Sequence, residues 1–204
     1  MLRKLTSVAT GALFACLVCC AACGQSQTGP QQPAHPSATT SSIAKGLSLS
    51  GTPVDPLGNG GTVVLIFMRT DCPVSNRYAP TIKSLSQQYA GKARFFLVYP
   101  DRDETPANIE KHLQEYDFQL TALRDPKHEL AKVSQVEITP EVAVFNGNRE
   151  LIYHGRIDNW YEDFGRSRPQ PTTHELNEAI HAAVEGGPTP ASVSGVGCYI
   201  SDLQ

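Results

Sequence analysis

Cysteine is the residue type in this chain with the most chemistry to offer, and there are six. Cys16, Cys19, Cys20 and Cys23 lie close together near the start, whereas Cys72 and Cys198 stand far apart. Cys72 sits in Asp71-Cys72-Pro73-Val74-Ser75, between an apolar run and a helical pattern. A thiolate is the nucleophilic form of cysteine, and the N–H groups and dipole of a helix N-terminus favour it. Arg69 and Arg77 are near enough in sequence to add positive charge. Free cysteine is often buried, but Asp71 and Pro73 suit an exposed turn, so the expectation is an accessible, reactive thiol. Cys198 lies in Gly195-Val196-Gly197-Cys198-Tyr199-Ile200, where the glycines allow tight bending and the tail is long enough to fold back. It reads equally as a partner for Cys72 or as an incidental tail thiol.

The elements that must position these residues follow from periodicity. Val63 to Met68 is a continuous β-branched-rich run, as in a strand buried on both faces. Ala79 to Tyr89 repeats Ile82, Leu85 and Tyr89 at helical spacing, and Ala93 to Tyr99 is a second apolar strand. Pro106 opens a helix capped by Thr105, with Ile109, Leu113 and Tyr116 as its buried stripe. A short strand over Leu120–Leu123 and a short helix over His128–Val136 follow. Asn146-Gly147-Asn148 joins Val142–Phe145 to Glu150–Tyr153 as a hairpin, and Thr173–Glu185 is the last helix. This order predicts an α/β domain with a parallel core, antiparallel strands added on one side and flanking helices.

A strand running into Asp71-Cys72-Pro73-Val74-Ser75 and a helix resembles the active-site corner of the thioredoxin superfamily. Ile138-Thr139-Pro140-Glu141-Val142, directly before a strand, resembles that superfamily's cis-proline loop. The resemblance covers residues 47 to 185. It implies a thioredoxin-like fold, with Pro140 opposite Cys72 and Thr139 offering backbone groups to an extended substrate; Ser75 is grouped with these as a substrate-binding position. Cys72-Pro73-Val74-Ser75-Asn76-Arg77-Tyr78-Ala79-Pro80, Gly155-Arg156-Ile157-Asp158 and Phe164-Gly165-Arg166-Ser167-Arg168-Pro169 are similar to a bacterial redoxin subgroup of the alkyl hydroperoxide reductase and thiol-specific antioxidant family. Ser75 departs from the dithiol pattern, since serine cannot resolve a mixed disulfide. Three readings follow: a monothiol enzyme using an external thiol, resolution by Cys198, or partner binding without turnover. Protein or small-molecule disulfides and thiols are the implied partners. A peroxidase of peroxiredoxin type is the alternative, although Arg69 and Leu65 stand where that family carries its threonine and proline.

Arg3 and Lys4 followed by the apolar stretch Leu5 to Ala22 read as an export signal over residues 1–22. Ala21-Ala22-Cys23-Gly24 resembles the lipobox of bacterial lipoproteins, with Cys20 where leucine is commoner. That resemblance implies cleavage before Cys23 and its acylation, which would tether the protein to a membrane of the cell envelope or periplasm without a span. Residues 23–46 form the lipidated cysteine and a Gln/Ser/Thr/Pro/Gly spacer. Residues 186–204 form the tail carrying Cys198. Loss of Arg3 and Lys4 takes the formal net charge from −3 to −5, which argues against a nucleic-acid binder. Hydrophobic residues make up 40% and charged residues 18%, enough for a real core. No Cys-x-x-Cys-His occurs, so neither haem nor any other cofactor is expected. A copper site needs two spaced cysteines and a histidine; Ser75, Asn76 and the lone strand-edge His154 do not supply them, so no metal is expected. His112, His128, His174 and His181 read as solvated helix residues, with His174 near a cap. Asp158, Trp160, Tyr161, Asp163 and Phe164 read as a loop covering the sheet edge, with Arg156, Arg166 and Arg168 as possible partners for its acids.

Overall fold

A computed structural model describes residues 43–201 and 203. The expected export signal, Cys23 and most of the expected spacer lie outside the described residues. In chain order the elements are β1 (Gly46–Leu47), β2 (Pro53–Val54), β3 (Thr62–Phe67), α1 (Pro73–Arg77), α2 (Ala79–Gln88), β4 (Ala93–Tyr99), α3 (Pro106–Glu115) and β5 (Thr121–Arg124). Then come α4 (Glu129–Ser134), β6 (Ile138–Thr139), β7 (Glu141–Phe145), β8 (Leu151–Gly155), β9 (Tyr161–Asp163), β10 (Arg166–Ser167), α5 (Glu175–Glu185) and β11 (Cys198–Tyr199).

The central sheet has the order β2-β1-β5-β4-β3-β7-β8. β3, β4 and β5 run parallel, while β7 and β8 add antiparallel pairs on one side. This is the mixed sheet the element order predicts. The two-residue strands β1 and β2 extend the other side and are too short to leave a periodic signal.

β3 is buried along its whole length, because strand side chains alternate between faces and both faces are covered here. Val64 and Ile66 pack with Ile82 of α2, Ile109 of α3 and Leu176, Ala179 and Ile180 of α5. Val63, Leu65 and Phe67 face the opposite way, against Leu130 and Ala131 of α4. Thr105 caps α3 as expected, accepting from the Asn108 amide at 3.2 Å. The helical segment after Cys72 breaks at Tyr78, since Pro80 has no N–H to bond the turn before it. The predicted loop around Trp160 is ordered as the β9–β10 hairpin, and Tyr161 reaches the core. No helix among the described residues is long and apolar enough to cross a membrane.

Candidate active site

Cys72 is the N-cap of α1, with extended backbone at φ −87° and ψ 112°. The turn before it is fixed from several sides. Arg69 pairs bidentately with Asp71 at 2.9 and 3.0 Å and reaches Asp101 at 3.1 Å. Thr70 Oγ1 donates to Glu104 at 2.7 Å, and Asn76 Nδ2 donates to the Thr70 carbonyl at 3.0 Å. Because Asn76 Nδ2 faces a carbonyl, its Oδ1 is left as an acceptor for His112 Nε2 at 2.8 Å. His112 Nδ1 then accepts from the Tyr99 hydroxyl at 2.9 Å. Burial lowers the His112 pKa, favouring the neutral ring this chain of donors and acceptors needs. His112 and His128 are therefore core residues, contrary to the solvated reading. His128 contacts the Pro100 carbonyl at 2.9 Å, whereas His181 is exposed and His174 is the N-cap of α5. Nor do both nearby arginines serve the thiol. Arg77 instead lies 5.0 Å over the Trp160 ring, and Arg69 is held by the two aspartates.

Thr139-Pro140 is a cis peptide, and the Thr139 carbonyl lies 3.5 Å from Cys72 Sγ. The edge beside that loop is already occupied. β11 pairs antiparallel with β6, setting Cys198 opposite Thr139 and Tyr199 opposite Ile138. Cys198 Sγ comes to 3.2 Å from Cys72 Sγ, although 126 positions separate them in the chain. Both are free thiols.

Several contacts hold the tail there. The Gly195 amide donates to Glu141 Oε1 at 2.7 Å, Thr139 Oγ1 donates to the Cys198 carbonyl at 3.2 Å, and the Ile200 amide donates to the Glu137 carbonyl at 2.9 Å. Further back, the Arg156 amide donates to the Val193 carbonyl at 2.8 Å. Ile200 is buried in the second core cluster, worth about 1.5–3 kcal/mol for an aliphatic side chain of that size. Gly197 is required by close approach, because a Cβ there would collide with the Thr139 carbonyl and come within 3.1 Å of Pro140 Cδ.

One expectation about Cys72 fails. Its exposure is 0%, so the thiol is not accessible in this state. Val196 and Cys198 of the tail pack against the cluster that contains it. Ser75 is likewise fully buried in this state. Its hydroxyl makes no hydrogen bond in the structure, yet lies close enough to the Cys72 sulfur to favour an anion there. Burial pushes the Cys72 pKa up. Hydrogen bonds from the Ser75 hydroxyl and amide, the Cys198 thiol and the Val74 amide outweigh that, and the net pKa falls below the ordinary thiol value. Cys198 moves the other way, pushed up to about 11 by its own burial and by donating to Cys72. The pair thus divides into a sulfur that prefers to be an anion and one that prefers to keep its proton.

Sequence reading named Cys72, Thr139, Pro140 and Cys198, and the structure brings all four together. It gave no role in the site to Asn76, Glu104, His112 or Glu141, although Asn76 and Glu141 lie inside the two quoted motifs. Glu104, His112 and Glu141 are marked by their burial and Asn76 by its hydrogen bonds to Thr70 and His112. Among the described residues there is no group of three or more His, Cys, Asp or Glu able to hold a metal.

A mixed sheet with Cys72 at a strand-to-helix corner and a cis-proline loop opposite defines a thioredoxin-like protein. Residues 60–151 match the family described as thioredoxin-like, and the fold of the described residues is thioredoxin-like. A curated relative, a thioredoxin-like protein of Haemophilus influenzae, is 25% identical over 108 residues, 52% of this chain and 62% of that protein. The chain therefore spans under two thirds of that relative's length. An uncharacterized conserved protein of Geobacillus kaustophilus superposes with a TM-score of 0.63 at 21% identity, covering 78% of this chain and 88% of its own. A hypothetical protein of Sinorhizobium meliloti gives 0.62 at 19% identity, covering 80% and 94%. At these identities the two structures establish the fold alone.

Proposed function

We propose that this protein is a thiol–disulfide oxidoreductase of the cell envelope in which Cys72 and Cys198 are the redox pair. The single observation carrying the reading is the 3.2 Å separation of the two sulfurs. A disulfide requires about 2.05 Å, so a small side-chain adjustment closes the bond. Ser75 lacks the thiol that would resolve a mixed disulfide from within the motif, and Cys198 supplies that thiol from the tail.

In the forward direction the tail leaves β6, and the Cys72 thiolate attacks one sulfur of a substrate disulfide docked beside Thr139 and Pro140. The substrate's other sulfur departs as a thiolate. The Cys198 thiolate then attacks Cys72 Sγ, releasing the second substrate thiol and leaving the Cys72–Cys198 disulfide. Two electrons pass from the protein dithiol to the substrate disulfide. Arg3 and Lys4, the apolar stretch to Ala22, and Cys23 support export and lipid anchoring as the way the domain reaches the envelope.

The test combines peptide mapping with turnover. Mild oxidation should yield a Cys72–Cys198 disulfide, and the reduced protein should reduce insulin or glutathione disulfide. Cys72→Ser should abolish turnover, while Cys198→Ser should accumulate a mixed disulfide on Cys72. Two free thiols after oxidation, or no turnover by the wild type, would leave a binding module instead. Rapid sulfenic acid formation at Cys72 with hydrogen peroxide would favour the peroxidase.

A further inference from the structure

We infer that reducing equivalents enter the oxidised protein at Cys198 and not at Cys72, so that the mixed disulfide of the reductive half-cycle is carried on the tail. This rests on the reading of the two cysteines as a redox pair and assigns each sulfur its part in recharging that pair.

Thiol–disulfide exchange needs the attacking sulfur in line with the bond it breaks, so each sulfur of a disulfide must be approached from the side away from its partner. Cys72 offers no surface in any direction, with 0% exposure. Helix α1 and the first core cluster enclose it, and the tail closes what remains. Cys198 is the half-buried member, on a two-residue strand with a single neighbour and next to Tyr199, which is 71% exposed. Leaving-group chemistry points the same way. The better leaving sulfur is the one whose thiolate is more stable, and Ser75 and the Val74 amide favour the anion at Cys72.

The step balances as follows. A thiolate RS⁻ attacks Cys198 Sγ, an RS–Cys198 bond forms, the Cys72–Cys198 bond breaks, and its electron pair leaves on Cys72 as thiolate. A second thiolate then attacks the R sulfur. RSSR is released and Cys198 departs as a thiolate that takes up a proton. Two external thiols are oxidised to one disulfide, and the protein disulfide is reduced to the dithiol. The class of reductant this admits is a small thiol, or a protein thiol on a protruding segment. Neither needs the edge of β6, which the tail occupies throughout. Substrate on Cys72 and reductant on Cys198 therefore use different sulfurs.

The experiment uses oxidised wild-type protein, first mapped to establish the Cys72–Cys198 disulfide. Glutathione is added at concentrations that consume the disulfide, samples are quenched at successive short times with excess methyl methanethiosulfonate, and the peptides are weighed by mass spectrometry. Extrapolated to zero time, glutathione should sit on the Cys198 peptide in at least about tenfold excess, with the methylthio label on Cys72. Glutathione on the Cys72 peptide, or an even split, overturns the inference while the redox pair stands. Absence of the disulfide before glutathione is added removes the pair, and this inference with it.

Discussion

Closing the Cys72–Cys198 bond should stabilise the domain by an amount that can be worked out in advance. The cross-link joins positions 126 apart, and a loop of that length removes about 4.9 kcal/mol of conformational entropy from the unfolded chain at 25 °C. Usually native strain takes back part of such a gain. Here the reduced fold already holds the tail in place, through the β11–β6 pairing, the Gly195–Glu141 hydrogen bond and the burial of Ile200. Closure therefore asks little further of the native state. For a chain of this size each kcal/mol moves the melting temperature by about 2–4 °C, so oxidised protein should melt roughly 10–20 °C above reduced protein. The assay is a pair of thermal melts followed by circular dichroism, with and without reductant, and Cys198→Ser as a control that should show no redox dependence. Oxidised protein within about 1 kcal/mol of reduced, or below it, would mean that the tail is not pre-positioned in solution.

Three other outcomes follow from particular contacts. Gly197→Ala places a Cβ against the Thr139 carbonyl and Pro140; overpacking costs about 1–3 kcal/mol, so tail release and Cys72 alkylation by iodoacetamide should rise roughly five- to 150-fold. An unchanged alkylation rate would show that the tail does not seal the thiol. Ser75→Ala removes a hydroxyl that favours the Cys72 anion, and a hydrogen bond to a charged group is worth about 1.5–3 kcal/mol, so alkylation of tail-released protein at neutral pH should slow by about tenfold or more. Its pH profile should move to higher pH, because a pKa that hydrogen bonds hold down rises when one is lost; an unmoved profile would remove Ser75 from the site. Burial raises the Asp125 pKa from 3.8 to about 6 despite the Ala131, Leu130 and Glu129 amides that favour its anion. Between those values the folded state holds a proton the unfolded state has lost, so this group should cost about 3 kcal/mol of stability as pH rises through the window. Urea unfolding from pH 4 to 7 should show that slope and Asp125→Asn should flatten it; an equal slope in both proteins would refute the assignment.

What could be read from residues alone was whatever local physics decides. A β-branched run marked β3 and an apolar run marked β4, a proline and a threonine marked the start of α3, and Asn146-Gly147-Asn148 marked the turn between β7 and β8. Cys72 stood out because a reactive thiol suits a helix start, and Pro140 because its segment resembles the superfamily's cis-proline loop. Only tertiary structure decided the fate of Cys198, since a strand of two residues has no periodicity and its partner, Thr139, lies on a distant segment. It also decided exposure. Asp71 and Pro73 spoke correctly for a turn, but a turn is accessible only if nothing packs over it, and here the tail does. Burial of Ser75, His112 and Glu141 is set by what surrounds them in space, and a polar side chain carries no mark in sequence of whether it will face water or a sulfur.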